Sequence, residues 1–80
     1  MAIIRDTNGN MVYRIDGQYV RDVYGNWVIH IRGDRFYDTG GNYIGEFRGK
    51  HLYDVNGNRQ GEMRGKYFYD VYGNWKYMVE

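Results

Sequence analysis

A chain of 80 residues has room for one domain and one core, and the reading is a single repeat domain over 1–80. The absence of cysteine excludes disulfides, thiolate zinc sites and thiol chemistry. Eleven Lys and Arg against ten Asp and Glu leave a net charge of +1, without the basic excess that draws a protein to nucleic acid or the bias that selects acidic partners or membranes. Ten tyrosines, twelve glycines and no proline suit strands joined by tight turns.

The opening Met1-Ala2-Ile3-Ile4-Arg5-Asp6 lacks the apolar stretch of a secretory signal, and no run reaches the ~18 apolar residues of a membrane span. The expected compartment is therefore the cytoplasm, with no membrane partner.

Aspartates recur every 16 residues, at Asp6, Asp22, Asp38, Asp54 and Asp70, and each opens the pattern Asp-x-x-Gly-Asn over 6–10, 22–26, 38–42, 54–58 and 70–74. A second glycine set interleaves at Gly17, Gly33, Gly49 and Gly65. The segments left between these turn signals are too short for helices, and they alternate. In Trp27-Val28-Ile29-His30-Ile31-Arg32 the odd positions are apolar, a period of two that marks a half-buried strand. Met11-Tyr13-Ile15 and Trp75-Tyr77-Val79 read the same way. The other segment of each unit has one large apolar residue, in order Ile4, Val20, Phe36, Leu52 and Phe68.

Asp-x-x-Gly fits a type I turn whose glycine takes the left-handed conformation of a bulge, with the Asp carboxylate accepting from turn amides. At the other end, a two-residue turn centred on Asp16-Gly17 and its Arg-Gly equivalents gives hairpins 10–22, 26–38, 42–54 and 58–70. That register sets Tyr13 against Val20, Ile29 against Phe36, Gly45 against Leu52 and Gly61 against Phe68. Gly45 and Gly61 then read as space left for an aromatic ring or a close backbone approach. The first strand, near 2–6, and the last, near 75–79, are halves of one more hairpin, and pairing them removes both edges. The expected fold class is all-β: 16-residue hairpin repeats making about ten short antiparallel strands, closed as a small barrel or flower.

The Asp-x-x-Gly-Asn turns, together with Gly-Lys-x-x-Tyr-Asp at 49–54 and 65–70, resemble the small bacterial four-fold β-flower domains. Tyr69-Asp70-Val71-Tyr72-Gly73-Asn74 is also similar to the YD repeats of secreted toxin shells, and Gly65-Lys66-Tyr67-Phe68-Tyr69 to the aromatic hairpins of cell-wall-binding repeats. Both of those families use longer units. The flower resemblance implies a fold and brings no catalytic residues, while five turns stand where four-fold numbering expects four.

Little in the chain suggests catalysis. There is no Ser or Cys, Thr7 and Thr39 occupy equivalent turn positions, and His30 and His51 fall at unmatched places in different repeats. Asp6-Thr7-Asn8-Gly9-Asn10 offers oxygens at alternate positions, but its glycine comes too early for a helix-loop-helix calcium loop and no closing glutamate follows. Arg32-Gly33-Asp34 has siblings in Arg-Gly-Lys at two equivalent turns, so the repeat accounts for it. No metal or cofactor is expected.

The second strand face carries Arg14, Tyr19, Arg21, His30, Arg35, Tyr37, His51, Tyr53, Tyr67 and Tyr69. Tyrosines beside arginines stack or cage a cation, and a ring of them about an axis would make a small concave site. The function expected is a non-enzymatic module binding a small ligand or a protein partner through that face. Two alternatives stand beside it: a purely structural repeat scaffold, natural or idealised, with no ligand of its own, and carbohydrate or cell-envelope binding through Trp27, Tyr43 and Trp75. Nucleic acid is disfavoured by the balanced charge. An imperfectly closed edge would offer a route to a homo-oligomer.

Overall fold

The computed structural model describes residues 2–80, folded as ten antiparallel strands. They are β1 (Ala2–Arg5), β2 (Met11–Asp16), β3 (Tyr19–Asp22), β4 (Trp27–Arg32), β5 (Arg35–Tyr37), β6 (Tyr43–Arg48), β7 (His51–Asp54), β8 (Arg59–Arg64), β9 (Tyr67–Asp70) and β10 (Trp75–Val79). Each pairs with its neighbours in sequence, and β10 returns to β1, so the meander closes into a barrel. The ring is shallow, 31 × 29 × 15 Å, because no strand exceeds six residues.

All five Asp turns are built alike. In the first, the Gly9 amide donates to the Asp6 carbonyl at 3.1 Å, the Asp6 amide donates to the Asn10 carbonyl at 2.9 Å, and Gly9 sits at φ 85°. This is a type I turn followed by a left-handed glycine bulge. Asp6 Oδ1 accepts from the amides of Asn8 and Asn10, both at 2.9 Å, and the other four aspartates do the same at their own turns. The carboxylate thus satisfies two amides that no ladder reaches.

The opposite turns differ from the expected ones by one residue. The two-residue loops are Gly17-Gln18, Gly33-Asp34, Gly49-Lys50 and Gly65-Lys66, closed by the pairs Asp16 with Tyr19, Arg32 with Arg35, Arg48 with His51 and Arg64 with Tyr67. Glycine comes first, at φ 60–62°, and among the described residues no other residue type has positive φ, so the turns are type II′ rather than type I′. An Arg-Gly centre would have placed arginine at positive φ, and moving the loop by one residue avoids that.

The correction moves each hairpin partner by two places. Val20 faces Ile15, Phe36 faces Ile31, Leu52 faces Phe47 and Phe68 faces Met63. Since strand sides alternate with period two, a two-residue move leaves the inward and outward faces as expected. Across the Asp turns Phe36 lies opposite Gly45 and Leu52 opposite Gly61.

Closure rests on β1 and β10. Ile4 pairs with Val79 and Arg5 with Met78, Ile3 and Glu80 exchange backbone hydrogen bonds of 3.0 and 2.8 Å, and the Arg5 guanidinium meets the Glu80 carboxylate. No strand edge is left free among the described residues. The edge that motivated an edge-paired oligomer is therefore absent from the ring.

Gly61 marks the tightest place in the wall. A methyl there would press on the Tyr69 carbonyl and lie 2.5 Å from the Phe68 ring. Gly61→Ala is expected to destabilise the ring by about 1–3 kcal/mol, the usual cost of overpacking, read as a lower urea midpoint. An unchanged midpoint would show that the ring and carbonyl do not press on this position.

Candidate functional site

Three inward layers follow from the alternation. One holds Ile4, Val20, Phe36, Leu52 and Phe68; a second holds Tyr13, Ile29, Gly45, Gly61 and Tyr77; the third holds Ile15, Ile31, Phe47, Met63 and Val79. Rings meet within this set: Phe36 lies edge-on to Phe47 at 5.6 Å, and Phe68 is tilted against Tyr77 at 6.3 Å. They do not fill it. Val20, at 7% exposure, is the one apolar side chain that is buried among the described residues, and none is fully buried. An 870 Å³ cavity remains, lined by residues of all ten strands, and it is therefore the lumen of the barrel. Eight strands give an interior that side chains just fill, and ten make a wider ring. The two glycines of the second layer widen it further.

The lumen wall is mainly aliphatic and aromatic, and its charged members are Asp34, in the second type II′ turn, and Asp54, in the fourth Asp turn. Gln60 reaches the Asp54 carboxylate from the neighbouring strand, its Nε2 donating to Oδ2 at 3.0 Å.

The residues expected to form a concave tyrosine and arginine site lie on the opposite face of the pleat, around the convex outer wall. They are spread over separate sectors. Tyr19 stacks on His30 at 4.8 Å, and His30 pairs across the ladder with Tyr37. Arg14 lies opposite Arg21, and its Nε is buried without a hydrogen-bond partner. Arg35 lies opposite Glu46. His51 accepts a hydrogen bond from Arg59 at 3.2 Å, while Tyr53 and Tyr69 lie under Arg48 and Arg64, each 4.8 Å from the ring centre, as Tyr37 lies under Arg32 at 5.2 Å. Tyr67 packs edge-on against Trp75 at 5.8 Å, as Tyr19 does against Trp27 at 5.2 Å. The structure brings these groups into local pairs, and it does not bring them to one point. Trp27, Tyr43 and Trp75 likewise stand one to a unit around the wall.

The wall is uneven. The sector of β9, β10, β1, β2, β3 and β4 carries Tyr67, Trp75, Met78, Ile3, Met11, Tyr19 and Trp27. In β5–β8 the same positions are polar and knitted together. There the Tyr43 hydroxyl donates to Glu46 at 2.6 Å, which holds the Glu46 carboxyl below its ordinary value and pushes the Tyr43 hydroxyl up. Glu62 takes Arg64 at 3.0 Å and Arg59 at 3.3 Å, and the Arg64 hydrogen bond is the main cause of its lowered carboxyl.

A family model described as 4-fold beta flower protein matches residues 2–69. The chain belongs to that family. Neither the curated proteins nor the solved structures yield a match. The matched stretch of this flower holds four of its five Asp turns, and the fifth unit completes the circle. The symmetry left open by the sequence is thus five-fold in this chain. Among the described residues no helix is long and apolar enough to cross a membrane.

The flower's Asp turns also set its response to acid. Backbone amides, led by those of Asn42 and Asn74, hold the Asp38 and Asp70 carboxyls below the ordinary 3.8. A carboxyl depressed in the folded state stabilises it fully above the unfolded value, and that contribution is lost as pH falls through the lower folded value. Thermal melts are expected to be flat in this respect down to about pH 5 and to fall below 3.8. Asp38→Asn with Asp70→Asn should flatten the acid limb while keeping the turns, because an Asn side-chain oxygen also accepts from turn amides. An acid limb identical to that of the unaltered chain would refute the linkage.

Proposed function

We propose that this flower is a non-enzymatic binding module that takes an apolar small molecule into its lumen. The observation that carries the reading is the 870 Å³ of mainly apolar space enclosed by all ten strands. That volume lies in the range of small-molecule sites, roughly 300–1,000 Å³, and its walls are preformed by backbone pairing. A ligand there covers inward side chains that the ring leaves half-exposed, worth roughly 25 cal/mol per Å² of apolar surface removed from water. The non-enzymatic part is supported by the residue inventory: no Ser or Cys, threonines only in turns, and two histidines at unmatched positions.

A second reading has its own observation. Tyr19 with Trp27 and Tyr67 with Trp75 form two like edge-on pairs on the outer wall, 37–42% exposed, and they support a protein or glycan partner there.

Native mass spectrometry of gently purified protein separates the two. A retained added mass is expected, and it should vanish in Ile29→Tyr with Ile31→Phe, which narrow the lumen with side chains that equivalent positions already hold as Tyr13, Tyr77 and Phe47. Arg35→Ala with Tyr37→Ala should leave it in place. The reverse pattern would move the ligand to the outer wall.

A further inference from the structure

We propose that the lumen selects apolar cations, with the cationic head at the Asp-turn mouth beside Asp54, and rejects carboxylates of the same tail; this rests on the lumen being the binding site. The chain has eleven Lys and Arg, one more than its acids, yet the charged residues lining the lumen are Asp34 and Asp54. The cations are directed elsewhere. Arg32, Arg48 and Arg64 lie over tyrosine rings on the outer wall. Three cations do reach the Asp turns without lining the lumen: Arg5 and Arg21 donate to the carbonyls of Gly9 and Gly25, at 3.0 and 3.1 Å, and Lys76 lies 3.9 Å from Asp70.

A carboxylate entering this space would lose its hydration and meet no cation, the costliest way to bury a charge. It would also approach Asp54 or Asp34, according to the mouth at which its head lies. A weakly hydrated cation such as a quaternary ammonium meets the opposite situation. Aromatic residues line the lumen, among them the inward-layer Tyr13, Phe36, Phe47, Phe68 and Tyr77, and ring faces attract such groups. The Asp-turn mouth adds the five turn carboxylates, of which Asp54 borders the lumen itself. The amides that hold each Asp in place fix the carboxylates without neutralising them, and the five outnumber Arg5, Arg21 and Lys76, so the mouth keeps a net negative charge around Asp54.

The fold supplies its own test residue. Gln60 lines the lumen beside Asp54, and its equivalent in the last unit is Lys76, which lies 3.9 Å from Asp70. Gln60→Lys therefore places a cation at the mouth in a position the repeat already accepts. At the other mouth, Asp34→Lys copies Lys50 and Lys66 at equivalent turn positions.

Calorimetric titration of the full chain with decyltrimethylammonium, decanol and decanoate, all below their micelle concentrations, decides the matter. The expected order is the ammonium tightest, the alcohol next and the carboxylate weakest, with the two charged ligands at least about tenfold apart. Gln60→Lys should abolish or reverse that gap, and Asp34→Lys should leave most of it. If none of the three binds, the lumen reading itself fails. If decanol binds and the ammonium is no tighter than decanoate, the lumen reading stands and the selectivity is overturned. Loss of the gap in Asp34→Lys but not in Gln60→Lys would overturn the placement of the head.

Discussion

Every strand in this ring is held on both sides, and for the first and last strands that depends on the pairing of Ile3 and Ile4 with Glu80 and Val79. Strands of three to six residues have few ladder bonds each, and a pair of them alone is marginal in water. Closure changes this by giving each short strand two neighbours and by sealing the edges that would otherwise recruit other chains. The inward packing is too loose to carry that burden, since among the described residues only Val20 is a buried apolar side chain and none is fully buried. Backbone pairing, held in register by nine turns of two kinds and by the seam, is what the shape depends on.

From the same constraint comes a division of labour between the faces. Strand alternation sends one set of side chains to the lumen and the other to the wall, so the two surfaces can differ in chemistry without competing for positions. The wall divides again, with aromatic and aliphatic groups on the sector that includes the seam and ion-paired groups opposite it. Gly45 and Gly61, both buried, belong to the ion-paired half. There the wall is thinnest inward, and Phe68 and the Tyr53 and Tyr69 carbonyls occupy the space that side chains would otherwise take.

Much of this was legible from spacing alone. The 16-residue recurrence of Asp-x-x-Gly-Asn announces the bulged turns and their carboxylate caps, because few residues serve an amide-capping turn followed by a left-handed position. Period two assigns Val20, Phe36 and Phe68 to the inward face, and the flower resemblance agrees with the family match. The exact hairpin partners were not legible. Arg-Gly and Gly-Lys are both plausible two-residue centres by eye, and the choice follows from which residue must bear positive φ. The position of the hollow is not legible for a different reason. Alternation distinguishes two faces but does not say which is concave, and the concavity belongs to Ile15, Val20 and Phe36, not to the face of Arg14, Tyr19 and Tyr37. The hollow is implicit in the count of ten strands, but an apolar face in a small protein equally suits solid packing.

The ring grows by whole units, and that has a consequence for what such rings enclose. Each unit adds two strands and one turn of each kind without altering the turns beside it. Four units would make eight strands, the number at which inward side chains just meet; five open a chamber from the same local instructions. Duplication of a single 16-residue segment therefore acts on internal diameter in coarse steps, while substitutions such as glycine at 45 and 61 trim it finely. A lineage of such proteins could pass from solid plug to hollow vessel in one event, with no intermediate fold to cross.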